Sequence, residues 1–193
     1  MSESVKSILL AGVGGQGIVR ASDIISMALM SSGFDVKKSE VHGMAQRGGC
    51  VTSHVRYGKK VYSPMSQKGD IDILLSFEKL ETLRYLDYMR PNGTIIINDE
   101  EIYPPSVNLG KDVYPDNVLD FVKQHFECTT TLKASVIAES VGNSRTVNSI
   151  MIGALSKYME ITDSTWEAIF SKAFPEKLVK LNIEAFYLGR NSE

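Results

Sequence analysis

The sequence has only two cysteines in 193 residues, Cys50 and Cys128, and neither belongs to a CxxC or Cys/His pattern. An iron–sulfur cluster held by one chain needs about four thiolates, so this chain is expected to carry no cluster and no metal. Both thiols read as small buried residues of a protein kept in a reducing compartment. Long apolar runs are also missing. Nowhere do about 18 apolar residues follow one another, as a membrane-crossing helix requires. The run Ile8–Ala11 is too short for the core of a secretion signal. A cytoplasmic protein with no membrane contact is the expectation. Basic excess is lacking too: 21 Lys and Arg stand against 23 Asp and Glu, scattered rather than striped. Nucleic acid is therefore excluded as a partner.

What remains is the composition of a globular protein, with 43% hydrophobic and 23% charged residues. A chain of this length buries roughly 70% of its unfolded surface and needs no disulfide or metal staple. One domain over residues 1–193 is expected, with the helices from about residue 134 packing on it or extending it.

Ser7–Ala11 is a short apolar run ending at glycine, the mark of a buried parallel strand. Ile18, Ala21, Ile24, Ile25, Ala28 and Leu29 then recur at helical spacing up to Gly33. Phe34–Ser39 reads as a second strand, completing a right-handed βαβ crossover. Alternation of Val51, Ser53, Val55 and Tyr57 with polar residues predicts a half-exposed strand, with a short partner at Lys60–Ser63. Asp72–Ser76 and Thr94–Ile97 are apolar strands on either side of a helix that carries Leu80, Leu83, Leu86 and Met89, with Pro91-Asn92-Gly93 as a break. Tyr103–Pro115 reads as irregular. A helix near Asn117–Gln124 and a strand near Glu127–Leu132 complete the sheet. Four helices follow: Ala134–Val141, Val147–Lys157, Ser164–Ala173, and Glu176–Leu188 with Gly189 as its stop. The fold class is α/β: a Rossmann-like three-layer sandwich with a mainly parallel sheet and a helical C-terminal third.

Gly12, Gly14 and Gly17 satisfy G-x-G-x-x-G between a strand and a helix, the context that gives this motif meaning. With Gly15 and Gln16 they form a loop whose free N–H groups favour an anion such as a phosphate. No Lys-Ser/Thr follows, so it is not a Walker A loop. The competing reading is that the glycines serve only close packing of strand on helix. Ligands of open α/β sheets bind at the carboxyl ends of the strands, which collects Glu40, Ser76 and Asn98 beside the loop. Glu40 also stands where a dinucleotide domain keeps its ribose-binding acid, so an autonomous NAD(P)-binding oxidoreductase is one reading. A second loop, Glu40 to Gly49, gathers Glu40, His42, Gln46, Arg47, Gly48 and Gly49, a set suited to an anion or a partner surface. His42 alone reads as structural. Arg47 between glycines reads as functional, and Arg20 either flanks the cleft or is solvated.

The two loops in this order resemble the gamma-type domain family of the 2-oxoacid:ferredoxin oxidoreductases. Further matching landmarks are Ser53–Arg56, Tyr62–Pro64, Asp72–Glu78, Pro91–Thr94, and Gly142-Asn143 through Asn148 to Gly153–Leu155, so the resemblance covers nearly the whole chain. Val13, Tyr62–Pro64 and the tail Phe186–Arg190 are most similar to the branch that acts on arylpyruvates. The resemblance implies a heteromer in which a large (alpha) subunit carries thiamine diphosphate, magnesium and the 4Fe-4S clusters. Coenzyme A is its co-substrate and ferredoxin its electron acceptor. It implies no catalytic residue on this chain, and a glycine loop that faces either coenzyme A phosphates or the partner. Gly69-Asp70 and Asn98 imitate a thiamine diphosphate motif, but Ile71 replaces its last glycine and the match is read as chance.

Overall fold

Apolar residues alternate to both sides of the first strand, and that alternation builds two cores. The computed structural model describes residues 4–43 and 49–192, with His42 described by its backbone alone. In strand β1 (Lys6–Val13), Ile8 and Leu10 face one layer of helices while Leu9 and Ala11 face the other. The other strands are β2 (Asp35–His42), β3 (Cys50–Gly58), β4 (Ile71–Ser76), β5 (Met89–Asn98) and β6 (Thr129–Leu132). Their order is β2-β3-β1-β4-β5-β6. Only β3 runs against its neighbours; β1, β4, β5 and β6 pair in parallel.

The helices are α1 (Ile18–Ser31), α2 (Lys79–Arg84), α3 (Pro105–Asn108), α4 (Val118–His125), α5 (Ala134–Ser140), α6 (Val147–Ser156), α7 (Asp163–Ala173) and α8 (Glu176–Asn191). One core joins Ile8, Leu10 and Leu75 to Ile24 and Leu29 of α1 and to Ile150, Trp166 and Phe186 of the C-terminal helices. The opposite core joins Leu9, Leu74, Ile95 and Ile97 to Val118 and Val122 of α4. Each fully buried aliphatic side chain contributes about 1.5–3 kcal/mol. Both faces of β1 and β4 are therefore covered, as a continuous apolar run in a parallel sheet demands. Among the described residues, no helix is long and apolar enough to cross a membrane.

Several local expectations change. The β1–α1–β2 crossover forms, but β3 inserts between its two strands. That insertion buries Thr52, Ser53, His54 and Val55 alike, so β3 is not half exposed. No strand forms at 60–63; Asp35 accepts the Val61 N–H at 2.9 Å and the Arg56 guanidinium binds the Ser63 and Met65 carbonyls, so the segment is a loop. Pro91-Asn92-Gly93 does not break the chain. It lies inside β5, where the pairing jumps from Ile71–Met89 to Ile73–Thr94 and the extra residues bulge out. The helix before it stops at Arg84; Leu86 falls in a 3-10 turn and Met89 opens β5. Tyr103–Pro115 contains the single turn α3. Cys50 is half-buried and Cys128, next to edge strand β6, is exposed rather than buried.

Gly189 is not a stop. Helix α8 continues to Asn191, and Gly189 lies against α6. A Cβ there would stand 1.9 Å from the Ile150 carbonyl oxygen, and one at Gly153 would stand 2.0 Å from that of Phe186. The two helices touch backbone to backbone through reciprocal glycines. Backbone cannot step aside as a side chain can. Gly189→Ala is therefore expected to lower the unfolding free energy by about 2–3 kcal/mol in urea titration. Gly33→Ala, which meets nothing within 4 Å but sits at φ +88°, is expected to cost only about 1 kcal/mol.

Candidate functional site

The glycines of the first loop have separate tasks. At Gly12 a Cβ would meet Ile18, Gln16 and Phe77 at 2.6–3.1 Å, so this glycine serves the packing of strand on helix. Gly15 has nothing within 4 Å and faces open space. Gly17 adopts φ +76°, caps α1, and leaves no room for a Cβ beside Asn148. Its carbonyl accepts from the Ala21 N–H at 3.0 Å and from the Asn148 amide at 3.1 Å. Gln16 does not project outward. Its Oε1 accepts the Val13 N–H at 2.8 Å and its Nε2 donates to the Phe77 carbonyl at 2.9 Å, which closes the loop from inside.

The loop opens onto a cleft of about 360 Å³. Gly15, Gln16 and Gly17 form one wall; Asn98, Glu100, Ile102 and Ser135 form another; Ser144, Arg145, Val147 and Asn148 form the third. Two helix N-termini thus meet here, those of α1 and α6, tied together by the Asn148–Gly17 bond. The first-turn N–H groups of α1 have no acceptor within the helix. With the exposed Arg145 they make this end of the cleft suited to a phosphate or carboxylate.

Asn98 lines the cleft and is engaged on both sides: its amide donates to Phe77 O at 3.3 Å and its oxygen accepts the Ala134 N–H at 3.0 Å. Ser76 is fully buried and donates to Glu78 O, so it does not reach the cleft. Glu40 lies apart. It pairs with Lys38 at 2.7 Å, which also contacts Asp23 of α1, and β3 separates its strand from β1. Arg20 donates to the Ala173 carbonyl at the end of α7 and stacks on Phe174, so it secures a helix rather than a ligand. The two loops do meet: the Gly14 N–H donates to Gly49 O at 2.9 Å, and Gly43 N–H to Cys50 O at 2.8 Å. Gln46, Arg47, Gly48 and the His42 side chain lie outside the described residues.

Sequence reasoning missed Glu100, Ser135, Ser144, Arg145 and Asn148. The strand-end rule already selected Asn98, and Glu100 stands two residues beyond it. Asn148 was in hand as a family landmark, without a task. Among the described residues no group of His, Cys, Asp or Glu could hold a metal. Asp70 precedes β4 whereas Asn98 ends the parallel β5, so the imitated thiamine diphosphate motif is split across opposite ends of the sheet. Cys50 is held by Tyr85 at 2.8 Å, and burial pushes its thiol up to about 11, partly offset by that hydrogen bond.

A family model described as "Pyruvate ferredoxin/flavodoxin oxidoreductase" matches residues 7–192. The chain is 36% identical over 188 residues to indolepyruvate oxidoreductase subunit IorB of Thermococcus kodakarensis, covering 95% of this chain and 93% of the relative. It is also 36% identical over 190 residues to the subunit of the same name from Archaeoglobus fulgidus, covering 96% and 94%. Among solved structures, a 2-oxoglutarate:ferredoxin oxidoreductase from Magnetococcus marinus, with 2-oxoglutarate, coenzyme A and succinyl-CoA bound, superposes with a TM-score of 0.76 at 24% identity. That likeness concerns the fold; it takes in 98% of this chain and 31% of the larger one.

Two outcomes follow from the side chains. Asn98→Asp keeps the acceptor for Ala134 but turns an oxygen towards the Phe77 carbonyl. Urea unfolding at pH 8 is expected to show a loss of about 1–3 kcal/mol. The loss shrinks towards pH 4, where a protonated carboxyl donates again. In thiol labelling at pH 8, Cys128 reacts fast and Cys50 slowly, because a thiol with a pKa of about 11 is thiolate in only about one molecule per thousand. Equal rates would contradict the burial of Cys50.

Proposed function

Because the chain belongs to the pyruvate ferredoxin/flavodoxin oxidoreductase family, we propose that it is the small (beta) subunit of an indolepyruvate:ferredoxin oxidoreductase. The complex converts an arylpyruvate and coenzyme A to an aryl-acetyl-CoA and carbon dioxide, and two electrons pass to ferredoxin. The observation that carries this reading is near-full-length identity, at 36%, to subunits of that name. Thiamine diphosphate, magnesium and the 4Fe-4S clusters belong to the large subunit in this reading. The support for that division of labour is the sequence itself, whose two cysteines, Cys50 and Cys128, belong to no CxxC or Cys/His pattern.

The part played by this chain is to complete the partner's active site with the edge formed by the glycine loop and the segment Glu40 to Gly49. Phosphates of coenzyme A fit the donor end of the cleft, where the N-termini of α1 and α6 and the Arg145 guanidinium converge. Gly15 and Gly17 provide close backbone approach. Arg47, with His42, Gln46 and Gly48, is proposed to bind the ligand or the partner subunit. An autonomous NAD(P) enzyme is disfavoured by Glu40, which is engaged by Lys38 and kept from the glycine loop by β3.

Reconstitution tests the reading. The isolated chain is expected to be colourless and inert. Mixed with its large subunit it restores coenzyme A-dependent dye reduction, fastest with indolepyruvate in a panel including pyruvate, 2-oxoglutarate and 2-oxoisovalerate. Full activity of the large subunit alone refutes a required small subunit. Saturable micromolar NADH binding to the isolated chain would instead revive the dinucleotide reading.

A further inference from the structure

A carboxylate on the wall of an anion cleft is a contradiction in charge unless it meets a donor. Glu100 is such a group. Its backbone is fixed at both ends, with its N–H on Asn98 O at 2.8 Å and its carbonyl accepting the Lys79 N–H at 3.1 Å. Ser135 Oγ donates to its Oε2 at 2.5 Å, which orients the carboxylate. The ammonium of Lys79 is held between Asp99 at 3.2 Å and Glu101 at 2.5 Å. An ionised carboxylate accepts and never donates. The Ser135 proton is already committed to Glu100, so Ser135 also presents only lone pairs. Two neighbouring residues of the cleft are thereby acceptors alone, while the Arg145 guanidinium on another wall is a donor alone.

We propose that Glu100, oriented by Ser135, reads hydroxyl groups on a phosphate ester, so that the cleft selects a ribosyl-type phosphate over a bare anion or a deoxygenated analogue. The inference rests on the anion reading of the same cleft. It assigns specificity to Glu100, affinity to the α1 and α6 N-termini with Arg145, and a positioning role to Ser135. A site built to bond a hydroxyl rejects the ligand that lacks it, because the bound ligand covers the half-buried carboxylate and leaves its oxygen unpaired.

Titration calorimetry on the full chain, alone and in its reconstituted complex, separates these roles with three probes: ADP, 2′,3′-dideoxy-ADP and inorganic pyrophosphate. Wild type is expected to bind ADP about tenfold or more tighter than the dideoxy compound. Glu100→Ala removes the acceptor, brings the two within about twofold and leaves pyrophosphate binding unchanged or tighter, since a negative charge is gone. Ser135→Ala, the milder change, reduces the preference in part. Arg145→Ala weakens all three probes by a similar factor. The inference is overturned if Glu100→Ala keeps the hydroxyl preference, or if it weakens ADP and the dideoxy compound equally; the anion reading survives either result. If wild type binds none of the probes, or Arg145→Ala alters none, the anion reading fails and the hydroxyl inference falls with it. Urea midpoints of each variant show that the fold is retained.

Discussion

The carbonyl oxygen of Phe77, one residue past the end of β4, accepts hydrogen bonds from two side-chain amides. Gln16 reaches it from the glycine loop and Asn98 from the end of β5. The N–H of the same residue donates to Ala11 O at 2.8 Å, which extends the pairing of β1 with β4. Asn98 in turn holds the first N–H of α5. One buried peptide group thus sets the loop, the end of β5 and the return to the C-terminal helices in fixed relation. In a low-dielectric interior such amides must all be paired, so the arrangement has little freedom to drift.

Around that point the cleft is assembled from parts far apart in the chain. Asn148 secures Gly17 from more than 130 positions away, and α6, which carries it, is itself fixed by backbone contact with α8 at Gly153 and Gly189. The helical third therefore does more than cover the sheet. It supplies the second helix N-terminus, Ser144 and Arg145, and it locks the first glycine loop in place. Gly49, at the far end of the segment from Glu40, is fastened to Gly14 of the glycine loop.

Much of this was legible beforehand. The apolar runs at Ile8–Ala11 and Ile73–Leu75, with helical spacing from Ile18 to Leu29, gave the α/β class and the position of the glycine loop without any tertiary information. The misreadings have physical causes. Alternation marked β3 as half exposed because period two cannot tell a polar residue facing water from one buried beneath a neighbouring ring, as His54 lies near Tyr88. Gly189 read as a stop because a glycine needed for close approach looks the same in sequence as one needed for a left-handed turn. Arg20 and Glu40 stood near the motif along the chain, yet α7 and Lys38 claim them in space.

What the sequence determined by itself was whatever depends on local order: where strands and helices run, and that a glycine-rich loop joins the first of each. The family followed from the same local order, because its two loops are contiguous stretches. Only the tertiary structure decided which glycine packs and which faces the cleft, that β3 enters between β1 and β2, and that Glu100, Ser135, Arg145 and Asn148 share a cleft with Gly15 and Gly17. These are outcomes of long-range packing, in which residues become neighbours through two cores and a pair of helices in backbone contact. No spacing along a chain encodes such contacts one by one.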